Sequence, residues 1–361
     1  MIGRRLELLK VAAKRVISTL TVADRVAIVL FNGSARVLGD GRNRLLTVTD
    51  ANRQNLLQLI DNMTAGGGTN FHNAFRAALQ VLEDSIVDEL NVSCNTAVLF
   101  LTDGETNSND EASALNIVTS GLARVEEQTG HPVMLFTFSI GNDTGNAATP
   151  PFPKRLACAS SSGVWSKIID DGELEESLGG YYRLFALGLG QDSNEGFVAW
   201  VEPFEFQPSL ALGTVASAPV YDRSKTPHLF LGVVGFAFPL AAVDKALGVQ
   251  AGDPATLNRI VAASTAQCPP VNLTQCEMES YRRQSSTGDD ALCLADVCNA
   301  SDFVPVETTT CPFVSDYPSN LWNNANLATK TYQVCAPQAM VSLVCVCCVC
   351  ARKLTLVLMS W

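Results

Sequence analysis

The first twenty positions set Leu6, Leu9, Ala13, Val16, Ile17 and Leu20 at steps of three and four, with Arg4, Arg5, Glu7, Lys10, Lys14 and Arg15 among them. That spacing is the apolar stripe of an amphipathic helix. The interspersed charges break any continuous apolar stretch, so this opening does not read as a secretory signal. The next apolar segment has another period: Arg25-Val-Ala-Ile-Val-Leu-Phe31 runs without alternation into Asn32-Gly33, as a strand covered on both faces does. Residues 51–63 predict a helix, Thr64-Ala-Gly-Gly-Gly-Thr-Asn70 a glycine-rich loop, and residues 71–90 a second helix. Thr96 to Asp103 and Pro132 to Gly141 read as further buried strands on either side of a helix over 110–127. A short strand at 163–168 and a helix at 173–187 follow. Strands alternating with helices predict an α/β fold with a doubly wound, mostly parallel sheet.

The pattern changes near Gly190. Residues 197–202, 212–221 and 229–238 are strand-like runs joined by turn-rich segments, with little helix between them, which predicts the antiparallel sheet of a separate α+β unit. Residues 240–247 predict a short helix, and from Cys268 onward no long periodic segment is visible, so this part reads as irregular. The chain has 361 residues and a net charge of −11, which excludes a dedicated nucleic-acid binder, since that task needs a basic face. Ten of its 12 cysteines crowd between Cys268 and Cys350 without a zinc-ribbon spacing. They read as a disulfide framework, hence an oxidising compartment. Cys94 and Cys158 stand alone in the first half, and their pairing is open.

In an open parallel sheet, ligands meet the carboxyl ends of the strands, so the residues that follow each buried run come first. Two places qualify: Gly66-Gly67-Gly68-Thr69-Asn70, and Asp103-Gly104-Glu105 directly after the strand ending at Thr102. A hydroxyl and a carboxylate on neighbouring loops are hard oxygen donors of the kind Mg²⁺ and Ca²⁺ prefer. A glycine turn and an Asp that starts a turn are the plainer alternative. No phosphate loop, HExxH helix or GxSxG elbow is present, and with only His72, His131 and His228 an enzyme is the minority reading.

After the amphipathic helix, "DRVAIVLFN", "TAGGGTNFHNAF", "AVLFLTDGETN" and "VMLFTFSIG" together resemble a von Willebrand factor A domain over residues 1–188. The resemblance implies a metal-ion-dependent adhesion site built from a DxSxS motif closing the first strand, a Thr on a second loop and an Asp on a third. Thr69 matches the Thr and Asp103 the Asp. The DxSxS and its strand are missing, and Met1 falls where the family has just passed that motif. The expectation is therefore an amino-terminally truncated form, or a shorter natural isoform, in which Mg²⁺ or Ca²⁺ binding is weak or absent.

Phe197 to Leu247, with "APVYD" and "LGVVG", is similar to part of a Cache domain, a sensor related to PAS folds. The order of the two modules, together with "NVSCNTAVLFLTDGE" and "RLACASSSGVWSKI", resembles the family of alpha-2/delta auxiliary subunits of voltage-gated calcium channels and related membrane proteins. It implies an A-type domain over 1–188, a partial Cache-like domain over 189–265 and a Cys-rich segment with a short apolar tail over 266–361. The implied function is a non-enzymatic, divalent-cation-dependent binding module, a fragment of an alpha-2/delta-like auxiliary subunit, at the extracellular face of the plasma membrane or in the secretory lumen. Its implied partner is a channel or other membrane-protein subunit. The alternative is a sensor of amino acids that uses the A domain as scaffold. For it, Trp200, Tyr221 and Asp222, with Arg183, are the candidate ligand residues, against core packing for the aromatics and a turn start for Asp222. Residues 339–351 are mainly apolar but too short to span a bilayer, and Arg352-Lys353 interrupts them. "CVCCVCARK" reads as a stump of an anchor, as misread intron sequence, or as an acylated membrane-proximal segment.

Overall fold

The computed structural model describes residues 3–20, 24–41, 43–88, 95–103, 108–141, 150–169, 184, 198–200, 204–206, 211–224, 229–250, 255–256, 259, 273–285, 288–294 and 353–360. Its amino-terminal part begins with α1 (Arg4–Thr19), β1 (Arg25–Phe31), β2 (Ala35–Leu38), β3 (Leu46–Thr47), α2 (Asp50–Asp61) and α3 (Phe71–Asp88). β4 (Asn95–Thr102), α4 (Ser108–Thr129), β5 (Val133–Ile140), α5 (Phe152–Cys158) and β6 (Gly163–Ile168) follow. The expected helix at 173–187 lies almost wholly outside the described residues.

β1, β4 and β5 are unbroken apolar runs because helices cover both faces of the sheet. Val26, Ile28 and Leu30 of β1 join Leu99 and Leu101 of β4 in one core with Leu9, Ile17, Leu56 and Ile60 from α1 and α2. The alternate residues, Ala27, Val29, Phe31, Val98 and Phe100, face Phe71, Phe75, Leu82, Val118 and Val125 from α3 and α4. Side chains alternate across a strand, so each strand fills both cores in turn. This three-layer arrangement is the expected α/β fold. β2 and β3 are additions that the sequence reading did not include: both pair antiparallel with β1 at the sheet edge.

The sheet order is β2-β1-β11-β4-β5-β6, where β11 is Lys353–Ser360. β11 runs parallel to both neighbours, from Arg25↔Leu354 to Phe31↔Ser360 on one side and from Lys353↔Asn95 to Met359↔Leu101 on the other. β11 is an addition that the sequence reading did not include, while residues 295–352 of the expected irregular segment lie outside the described residues. The seam between β1 and β4 is occupied by a segment more than two hundred positions away in sequence. Its register sets residues 355, 357 and 359 level with Val26, Ile28 and Leu30, and residues 354, 356 and 358 level with Arg25, Ala27 and Val29.

A second, four-stranded antiparallel sheet contains β7 (Ala199–Trp200), β8 (Phe204–Phe206), β9 (Ala211–Asp222) and β10 (Leu229–Pro239), with β9 at its centre. α6 (Leu240–Leu247) follows and ends at Gly248, whose left-handed φ of 69° closes the helix. The antiparallel character of this region is as expected. α7 (Gln275–Ser285) is not, because the sequence beyond Cys268 shows no apolar period. It starts on a reciprocal cap: the Thr274 amide and hydroxyl donate to Glu277 Oε2, both at 2.8 Å, and the Glu277 amide donates to Thr274 Oγ1.

α7 docks at the β6 edge. Met278 and Tyr281 enter the α1–α2 core. Arg282, paired with the fully buried Glu279, donates from Nε to the Gly163 carbonyl at 2.8 Å. Burial holds the Arg282 guanidinium below its usual pKa, with the Glu279 charge and hydrogen bond opposing the shift. A disulfide between Cys158 and Cys293 fastens the same junction, its Cα atoms 5.2 Å apart. Cys158 is thereby assigned a partner, while Cys94 lies outside the described residues.

Candidate functional site

The site is built where the parallel strands end. Asn32, just past β1, donates from Nδ2 to the Gly66 carbonyl at 3.1 Å, and its own carbonyl accepts from the Asn70 amide at 2.8 Å. Asn32 Oδ1 also accepts from the Ser34 amide and hydroxyl. One residue, through its side-chain amide and its main-chain carbonyl, therefore stitches the glycine loop to the end of β1. Gly67 is needed there: its φ is +86°, and a Cβ would come within 3.0 Å of Asn32 Nδ2.

Behind the loop, Phe71 opens α3 and is buried. Its ring lies 5.2 Å from Phe100, 5.8 Å from Phe31 and 5.0 Å from Phe152, measured between centroids. The free amides of the first turn of α3 are answered from the start of α4. Asp110, in the first turn of α4 and buried, accepts from the Phe71 amide at 2.6 Å and the His72 amide at 3.1 Å. A carboxylate at a helix N-terminus meets both unpaired N–H groups and the positive end of the dipole. Asn70 Oδ1 supplies the near-side cap to the Asn73 amide at 2.7 Å.

Thr69 and Asp103 consequently stand on one rim: Thr69 on the loop bound to the end of β1, Asp103 as the first residue after β4. β11 runs between these two strands. Asp103 has its side chain 10% exposed and forms an ion pair with Arg5, Nη1 to Oδ2 at 3.6 Å. Arg5 comes from the first turn of α1, on the same rim. His72 has a different engagement, its Nδ1 lying 2.7 Å from the Ser113 hydroxyl on α4.

A divalent ion takes about six or more oxygen ligands, more than Thr69 and Asp103 supply. Among the described residues no group of three or more His, Cys, Asp or Glu side chains could hold a metal, and the carboxylate of Asp103 already faces a guanidinium. Thr69 and Asp103 thus do not by themselves fit Mg²⁺ or Ca²⁺.

The candidates for a small ligand are not gathered. Trp200 is level with Ala216 on β9, whereas Tyr221 lies five residues further along that strand, about 17 Å at strand rise. Asp222 Oδ1 accepts from the Ser224 amide at 2.9 Å and from its hydroxyl, which is the turn-starting role. Arg183 lies outside the described residues. Sequence reasoning missed Arg5, Asn32 and Asp110 as members of the rim. Their partners are more than thirty positions away, and only the register of the sheet brings them together.

Residues 1–105 match the family model described as von Willebrand factor type A domain. That span contains Arg5, Thr69 and Asp103. Two curated relatives are similar over a longer stretch. The rat voltage-dependent calcium channel subunit alpha-2/delta-3 is 24% identical over 256 residues, 68% of this chain and 22% of the relative. Its mouse counterpart is 23% identical over 262 residues, 68% of this chain and 23% of the relative. The chain thus spans less than a quarter of the length of the relatives it matches. Among solved structures, von Willebrand factor type A from Catenulispora acidiphila is 17% identical, with a TM-score of 0.39 over 65% of this chain and 50% of that one.

Proposed function

We propose that the chain is a non-enzymatic protein-binding module of the von Willebrand A type that engages a channel-type membrane-protein subunit through the rim carrying Thr69 and Asp103. The coincidence of the family match with the rim carries this reading: residues 1–105 contain both loops, and the similarity to alpha-2/delta-3 subunits extends beyond them. We place the module at the extracellular face of the plasma membrane or in the secretory lumen. The Cys158–Cys293 disulfide supports that compartment. Among the described residues no helix is long and apolar enough to cross a membrane. The sheet of β7 to β10 is read as part of a Cache-like domain covering about residues 189–265, between the A-type domain and the Cys-rich segment.

Many von Willebrand A domains work through a bound divalent ion. Among the described residues the carboxylate expected to hold such an ion, Asp103, is already paired with Arg5, so we infer that dependence of this chain on Mg²⁺ or Ca²⁺ is weak or absent.

Co-expression with the pore-forming subunit of a voltage-dependent calcium channel, followed by co-precipitation in EDTA, tests the reading. Thr69→Tyr puts bulk on the rim and should reduce capture at least about tenfold, the order expected of one blocked anchor in an interface. Val234→Ser on the exposed face of β10 should leave capture unchanged. Undiminished capture by Thr69→Tyr, with loss by Val234→Ser, would transfer the binding surface to the second sheet.

A further inference from the structure

The rim is defined by charge as much as by shape, and its positive member comes from the helix that opens the chain. Arg5 sits in the first turn of α1, yet its side chain reaches across the end of a strand. A Cβ built on Gly141, the residue after β5, would lie 3.0 Å from Arg5 Nε, 3.6 Å from its Cζ and 3.7 Å from its Cδ. Gly141 has a φ of +95°, and its amide donates to the Ile168 carbonyl at 2.8 Å, so the backbone there is held in a conformation that favours glycine. A side chain at position 141 would press on the guanidinium. The absence of one leaves a passage through which Arg5 passes over the end of β5 to reach Asp103 at the end of β4, 3.6 Å away. Arg5 is 41% exposed along its side chain, whereas Asp103 is 10% exposed. The carboxylate is thus largely covered, with the cation on its solvent side.

We propose that Arg5 is the resident cation of this rim: it neutralises Asp103 from within the chain and excludes a divalent ion from that carboxylate. The proposal concerns the same edge that the proposed function assigns to a partner and rests on that reading for its use. The charge arrangement itself is independent of any partner. A metal ion bound to Asp103 would sit within a few ångströms of the guanidinium. Two positive centres that close repel strongly in a partly desolvated place, and among the described residues no group of three or more His, Cys, Asp or Glu side chains is there to compensate. The rim therefore offers an acidic group of the partner a guanidinium, which matches carboxylate geometry with paired N–H donors.

Titration of the whole chain with Mn²⁺, with free metal followed by electron paramagnetic resonance, tests this without any partner. The wild-type chain should bind Mn²⁺ at this rim only weakly. Arg5→Gln should bind at least about tenfold more tightly, because the competing charge is gone while a side chain of similar length remains. Arg5→Lys, which keeps the charge, should behave like wild type, and Arg5→Gln combined with Asp103→Asn should lose the gain. Equal Mn²⁺ affinity in wild type and Arg5→Gln overturns the proposal, as does a gain that survives Asp103→Asn. Far-ultraviolet circular dichroism of each variant confirms that α1 remains folded. Failure of the channel-capture experiment with a positive Mn²⁺ result would refute the partner and leave Arg5 as the rim's cation.

Discussion

Removing the disulfide between Cys158 and Cys293 should loosen the molecule at one definable edge. The bond joins the end of α5 to a residue 135 positions later, just past a short 3₁₀ turn at Gly288–Ala291. In the chain-entropy treatment, a cross-link closing a loop of that size restrains the unfolded chain by about 5 kcal/mol. Typical domains are stable by about 5–15 kcal/mol, so such a loss would be a large part of the whole. The damage should be local at first. Arg282, bonded to the Gly163 carbonyl, and the Cys293 amide, donating to Glu279 Oε2 at 2.9 Å, share the junction with the disulfide. Cys158→Ala with Cys293→Ala, unfolded in guanidinium chloride beside wild type, should lose several kcal/mol. Hydrogen exchange should accelerate first in β6 and α7, with β1 and β4 unaffected until the main transition. Trp165 reports on the same edge, being buried in β6 with Nε1 donating to Ser139 Oγ at 2.9 Å. A loss below about 1 kcal/mol, or a non-reducing peptide map linking Cys158 elsewhere, would refute the reasoning.

Other perturbations have equally definite outcomes. Glu279→Gln strips the buried Arg282 of its counter-charge and should cost about 3–5 kcal/mol by chemical denaturation, while replacing both residues by Met should cost much less. Phe71→Ala opens a cavity among Phe31, Phe100 and Phe152 and should cost about 3–5 kcal/mol, read by thermal unfolding. Asn32→Ala removes the link to Gly66 and should cost about 1–2 kcal/mol, with faster proteolysis at the glycine loop as its signature. Val357→Pro removes a ladder donor from β11 and should destabilise the sheet between β1 and β4 by about 3 kcal/mol or more. Unchanged stability would dislodge β11 from that seam.

Much of the fold was legible because it is written in local periods. The unbroken runs at Arg25–Phe31, Asn95–Thr102 and Val133–Ile140 are buried strands, and the three-and-four spacing of Leu6, Leu9, Ala13 and Ile17 is the inner stripe of α1. α7 was not legible, because its contribution is polar. The buried pair Glu279–Arg282 and the Thr274–Glu277 cap hold it, while only Met278 and Tyr281 add apolar surface to the core. β11 escaped for a different reason. Leu-Thr-Leu-Val-Leu-Met is an ordinary strand pattern, but nothing within the tail indicates that its partners are β1 and β4. The same division runs through the site. Thr69 and Asp103 announce themselves through glycine and strand-end context, whereas Arg5 looks like one more charge on the polar face of a helix. It takes the sheet to bring Arg5 over Gly141 to Asp103.

Hydrogen–deuterium exchange of the chain, alone and in complex with the pore-forming channel subunit, tests the central claim most directly. If the rim is the binding edge, protection concentrates in the loop from Thr64 to Asn70 and at the junction of β4 with α4, and β9 and β10 exchange as in the free chain. Protection confined to β9 and β10, with the rim unchanged, would contradict it.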